Sequence, residues 1–179
     1  MSEPRNQTQY QVRFDWGLEG AAAIAPGAHV VIWADALATA AAPDPAALAT
    51  DAAVVAGSVG NRVAVAQWVL DLQARLGDRA IVAVVAAGAD DGRFAVEDLL
   101  AAGAVIDAIA DVGIDFTSPE AAAAVGAYAG LRNAASHVLT ASVTGKELAA
   151  SGQQAVIDAA RSTNADSSVR VLKEFAPRS

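Results

Sequence analysis

The chain has no cysteine. That excludes disulfide frameworks, thiolate metal sites and cysteine nucleophiles. Aromatics are scarce: four Phe, three Trp and two Tyr make up 5% of 179 residues. Too few rings are present to build a stacking platform for nucleic-acid bases. Positive charge is scarce as well. Twelve Lys and Arg stand against 20 Asp and Glu, giving a net charge of -8 and a pI near 4.6. Such a field repels nucleic acid and anionic membranes, and no Lys/Arg cluster offsets it locally. No stretch of ~18 charge-free residues carries the Leu, Ile, Val and Phe content of a membrane-spanning helix. Met1 to Gln11 is polar and lacks a charged-then-apolar signal pattern. Together these absences predict a cytoplasmic protein with neither nucleic acid nor membrane as a partner.

What is present is alanine and small aliphatic surface. The hydrophobic fraction is 54%, with Ala at about a quarter of the chain, and mean hydropathy is +0.35. Short apolar runs alternate with helical periodicity. Tyr10 to Asp15 alternates as a half-buried strand should. Leu18 to Ala25 reads as a helix closed by Pro26-Gly27. His29 to Trp33 and Ala52 to Ala56 read as buried strands, and Ile81 to Ala86 as the clearest one. Between the first two lies Ala41 to Asp51, a loop marked by Pro43 and Pro45. Val65, Val69, Leu72 and Leu76 lie on one face of a helix, which Gly77 stops. A longer helix spans about Phe94 to Asp111. Ser118-Pro119-Glu120 starts another that ends near Gly130. Helices over 133–140 and 153–161 and a weak strand over 168–175 complete the pattern. This order predicts one α/β domain over residues 1–179: a three-layer α/β/α sandwich with a mostly parallel sheet. Residues 1–9 and 176–179 read as flexible tails. An Ala-rich surface with an exposed sheet edge is compatible with a homodimer.

In open α/β sheets, ligands bind beyond the carboxyl ends of the strands. Asp35 follows the second strand. A carboxylate there suits a magnesium ligand or a general base, and equally a helix N-cap. Gly57-Ser58-Val59-Gly60-Asn61 follows the third strand. Its N–H groups could cradle a phosphate, or it could be a structural turn with Asn61 as the cap. It lacks the spacing and the lysine of a P-loop. Asp90, Asp91 and Arg93 follow the fourth strand, ahead of Glu97-Asp98. Acids are favoured in a first helical turn by the dipole alone. Glu97 and Asp98 point roughly 100° apart around a helix, so at most one of them is a direct ligand of any single ion. His29 and His137 sit apart in apolar settings, as packed or surface residues.

Several segments, taken in order, resemble the 2-phosphosulfolactate phosphatase family. These are Val12-Arg13-Phe14-Asp15-Trp16-Gly17, Val30 to Leu37 with Asp35 inside it, and Ala56 to Arg62. Val84 to Gly88, Gly92 to Asp98 with Ala101-Ala102-Gly103-Ala104, and Ser142 to Leu148 follow. The block from Glu97-Asp98 to Gly103 is the most specific. The resemblance implies an α/β/α fold and magnesium-dependent removal of phosphate from (2R)-O-phospho-3-sulfolactate, a step toward coenzyme M. Its substrate would be a small phosphorylated anion. By position it implies catalytic roles for Asp35, Asn61 and Glu97, and magnesium ligands among Asp35, Glu97 and Asp98. Arg13, Ser58 and Arg93 become the expected substrate contacts. Family members carry three further motifs between the Asp35 strand and the Gly57 loop, whereas here only Ala38 to Asp51 fills that interval. A second reading is therefore a non-catalytic homologue that binds a small ligand or self-associates.

Overall fold

The computed structural model describes residues 3–39, 42–162 and 168–176. Four parallel strands form the sheet: β1 (Val12–Trp16), β2 (Val30–Ala34), β3 (Ala53–Gly57) and β4 (Val82–Ala86). A short fifth strand, β5 (Val171–Lys173), joins antiparallel at the β3 edge, giving the order β1-β4-β2-β3-β5. The sheet is thus mostly parallel, as the strand-helix alternation predicts. β2 and β4 are entirely buried. That is why they read as continuous apolar runs rather than as alternating ones.

The helices are α1 (Gly17–Ile24), α2 (Arg62–Leu76), α3 (Val96–Asp111), α4 (Pro119–Leu131), α5 (Ala135–Ala141), α6 (Val143–Ala150) and α7 (Gln154–Ser162). Strand side chains alternate between two cores. Val30, Ile32, Val82 and Val84 pack with α2, α3 and α4 on one face. Val31, Trp33, Ala83 and Val85 pack with Ala21 and Ile24 of α1 on the other. The architecture is three-layered, and one outer layer is thin.

α3 is the central helix. It buries Leu100, Val105, Ile106 and Ile109, and each such side chain contributes about 1.5–3 kcal/mol. It meets α4 closely at Gly103, where a Cβ would lie 2.1 Å from the Ala124 carbonyl oxygen. The Ser118-Pro119 signal is realised at the start of α4: the Ser118 hydroxyl accepts from the Ala121 N–H at 3.1 Å. α6 departs from the sequence reading, which places no helix there. Its cap is nonetheless a short polar side chain of the usual kind, because Ser142 accepts from the Gly145 N–H at 3.1 Å.

The ends are held more firmly than tails would be. Gln7 is buried, and its amide pairs with both the N–H and the carbonyl of Phe14, at 3.0 and 2.8 Å. The Ala176 N–H donates to Asp51 at 2.9 Å. Residues 1–2 and 177–179 of the predicted tails lie outside the described residues. Among the described residues, no helix is long and apolar enough to cross a membrane.

Gly103→Ala tests the α3–α4 contact. The added methyl meets backbone, which cannot rotate away, so the helices must separate. Denaturant unfolding is expected to show a loss of about 2–3 kcal/mol, where Gly→Ala in an open helix position would be stabilising.

Candidate functional site

β2 and β4 are neighbours in the sheet though their paired positions are 52 residues apart in sequence, with Ala34 opposite Ala86 at their carboxyl ends. The Ala87 N–H continues the pairing by donating to Ala34 at 2.9 Å. The two loops that leave these strands therefore start side by side. The first turn of α3 lies against them, and here the sequence places Glu97 and Asp98.

The Asp98 carboxylate is buried and bridges the loops. One oxygen accepts from the Ala36 N–H at 2.8 Å, the other from the Gly88 N–H at 2.9 Å. Gly88 adopts φ +77°, a left-handed conformation that glycine adopts without a Cβ penalty. Two N–H donors favour the ionised carboxylate, but burial and the nearby Asp35 charge oppose them. The balance holds the Asp98 pKa well above the usual carboxylate range. Burial also pushes Asp35 up to about 6, against a hydrogen bond from the Leu37 N–H, with Asp90 and Glu97 adding repulsion. Among the described residues, no cation forms an ion pair with Asp35, Glu97 or Asp98.

Asp35, Glu97 and Asp98 line one cavity of about 480 Å³. Glu97 is only 3% exposed, and among the described residues its carboxylate has no hydrogen-bond partner. It also borders a second, smaller cavity of about 60 Å³ lined by Ser58, Val59 and Gly60. Arg93 stands half-exposed at the mouth of the large cavity. It is already engaged by Asp91, and by Glu147 of α6 at 3.3 Å. Thr39 donates to Asp90 at 2.8 Å across the same mouth.

Three of the sequence-derived site residues stay out of the large cavity: Ser58, which lines only the smaller one, Arg13 and Asn61. Arg13 lies toward the amino end of β1, opposite Ala83, and its guanidinium is buried against the carbonyls of Tyr10, Ile24 and Pro26. Ile24 ends α1, whose carbonyl pole attracts a cation. Arg13 is therefore a helix-end cation at the wrong end of the sheet for the pocket, and desolvation lowers its pKa. Asn61 lines neither cavity. Its oxygen accepts from the Ser58 N–H at 2.8 Å and from the Ser58 hydroxyl at 3.1 Å, and its amide donates to Ala56. It closes the glycine turn from inside, without capping α2. The Ser58 N–H that might have met a phosphate is spent on this turn.

Glu147 and Thr39 are wall residues that sequence reading overlooked. Glu147 arrives on the unforeseen α6. Its advance signals were the Ser142 cap, five residues before it, and its place in the Ser142–Leu148 segment of the family resemblance.

Among the described residues, no group of three or more His, Asp or Glu side chains is placed to hold a metal ion. Magnesium, however, often takes one or two carboxylates and completes its shell with water. Asp35 and the unpartnered Glu97 fit that role. Asp98 fits less well, because both its oxygens already hold the loops.

The fold and pocket define a class: an α/β/α domain with a carboxylate-walled site beyond the carboxyl ends of adjacent parallel strands. The family model for 2-phosphosulpholactate phosphatase matches residues 22–174. The chain belongs to that family. No curated protein matches it.

Asp35→Asn tests the electrostatics of the pocket. A carboxyl whose folded pKa is about 6 against an ordinary 3.8 contributes stability below pH ~4 that is lost as pH rises through 6. In metal-free buffer at pH 7 the variant is expected to be more stable than the wild type by about 1–3 kcal/mol. The gain should vanish near pH 4. Thermal unfolding across that range measures it.

Proposed function

We propose that this protein is a magnesium-dependent phosphatase acting on a small phosphomonoester. The observation that carries this reading is the convergence of Asp35, Glu97 and Asp98 on one cavity, in a chain whose family is 2-phosphosulpholactate phosphatase. Within this reading, Asp35 and Glu97 hold the ion and Asp98 positions the loops that carry Asp35 and Arg93. Bound magnesium would neutralise phosphoryl oxygens and acidify a water molecule. Arg93, at the mouth, turns from its surface acids toward a phosphoryl oxygen, since a guanidinium on a half-exposed side chain costs little to re-pair. (2R)-O-phospho-3-sulfolactate is the first compound to assay.

A second reading, a non-catalytic ligand-binding homologue, is favoured by the short interval between β2 and β3. Only residues 35–52 separate these strands. Among the described ones a short turn spans Pro45–Ala47, and just after it the Lys173 ammonium donates to the Leu48 and Thr50 carbonyls at 2.9 and 2.6 Å.

One assay separates the two. Hydrolysis of p-nitrophenyl phosphate is expected with magnesium and should disappear on chelation. Asp35→Asn and Glu97→Gln are each expected to lower kcat/KM by about 10²-fold or more. No hydrolysis under any condition supports the binding reading. Hydrolysis that survives chelation, or an Asp35→Asn variant with full activity, overturns the site assignment.

A further inference from the structure

Leu37 stands two residues after Asp35 and is 3% exposed, yet it belongs to neither sheet core. Its side chain packs in a third, smaller core with Leu148 of α6 and Ile157 of α7, bordered by Leu139, Val156 and Ala160. Among the described residues of that core, Leu37 is the one contribution from outside α5, α6 and α7. These helices pack on one another, and α5 packs on α3. They form a small helical cover whose apolar interior holds one side chain from the loop after β2. Drawing a leucine out of such a core loses its transfer energy and leaves a cavity. The cover therefore restricts where this loop can go.

The chain around Asp35 is held on both sides. Ala34 ends β2 within the sheet. The Ala36 N–H is held by Asp98 at 2.8 Å, and the Leu37 side chain by the cover. Asp35 lies between these points, and its carboxylate accepts from the Leu37 N–H. The cover also lines the large cavity, through Thr144, Glu147 and Leu148. Ile157 lines neither cavity, so any effect it has on the site must pass through its neighbours in the small core.

Resting on the phosphatase reading above, we propose that Leu37 is a positioning residue: the helical cover grips it and thereby aims the Asp35 carboxylate for a divalent cation. A ligating group on a loop that samples other orientations has its affinity reduced by the fraction of time it is aimed correctly. Leu37 raises that fraction with a side chain that has no atom able to bind a cation.

Magnesium binding to the full chain, measured by calorimetry, tests this. Leu37→Ala and Ile157→Ala are each expected to weaken magnesium by about fivefold or more. The double variant should be little weaker than either single one, because both changes remove the same grip. Leu37→Met refills the space and should bind within about twofold of the wild type. Leu37→Val and Ile157→Val, each a smaller change, should weaken magnesium by about twofold and replace an alanine variant that does not fold. Leu72→Ala controls for destabilisation alone. Leu72 is buried in the main core, next to Gln73, which binds Gln11 and Ala80 at the amino end of the sheet. This variant should keep wild-type affinity. Wild-type affinity in the Leu37 and Ile157 variants overturns the inference, and so does equal weakening in Leu72→Ala. Weakening at Leu37 with none at Ile157 overturns it too, since the cover then plays no part. In each of these cases the wild type still binds magnesium and only this inference fails. If the wild type binds no magnesium, the phosphatase reading fails and this inference fails with it.

Discussion

The site depends on the two hydrogen bonds that Asp98 accepts, from Ala36 at 2.8 Å and from Gly88 at 2.9 Å. Parallel strands place their following loops side by side, but nothing in a β-ladder dictates how those loops leave the sheet. Asp98 supplies that instruction from the first turn of α3. Each N–H bonded to a charged acceptor is worth about 1.5–3 kcal/mol, which offsets part of the cost of burying the carboxylate, while burial still dominates. The result fixes Asp35 on one side and the loop to Arg93 on the other. α3 is itself fixed by its aliphatic face and by the close passage of Gly103 past α4. Core packing thus sets the helix, the helix sets Asp98, and Asp98 sets the pocket.

The charge distribution follows a division between the two ends of the sheet. At the amino end, Arg13 is satisfied by carbonyls, two of them from the end of α1 and the turn after it. At the carboxyl end, acids outnumber Arg93, the one cation among the described residues of the cavity wall, and Asp35 and Asp98 both hold their protons more tightly than exposed carboxyls do. Crowding of like charges stores unfavourable energy in the metal-free fold. A ligand that brings positive charge releases it. Affinity and strain are therefore linked in this pocket, as in other sites where unfavourable electrostatics are retained for function.

Much of this was legible in the sequence because period and burial coincide. The runs at Val30–Ala34 and Val82–Ala86 are apolar on both faces and could only be central strands. Ser118-Pro119 announced α4 through cap chemistry. Proximity to a strand end picked out Asp35, Glu97 and Asp98, which line one cavity, but it says nothing of direction. Arg13 also lies near a strand end in sequence, yet its side chain runs back to the carbonyl pole of α1. Asn61 looked available because its partners, Ser58 and Ala56, are three and five residues away, and such local closure leaves no periodic trace. The role of Asp98 was invisible for the opposite reason. Its partner Ala36 is 62 residues distant, so only the assembled sheet reveals the bond. α6 escaped because Ser142 to Leu148 mixes polar and small residues, with little of the apolar stripe that marks a packed helix.

Amide hydrogen exchange by NMR, comparing the wild type with Asp98→Asn, addresses the central claim most directly. An Asn side chain offers one acceptor oxygen and an NH₂ group that cannot receive the second N–H. The account predicts that the Ala36 or Gly88 amide, or both, will exchange at least tenfold faster in the variant, while Ile32 and Val84 in the strands keep their protection. Unchanged protection at both Ala36 and Gly88 would contradict it, since the loops would then be held by something other than Asp98.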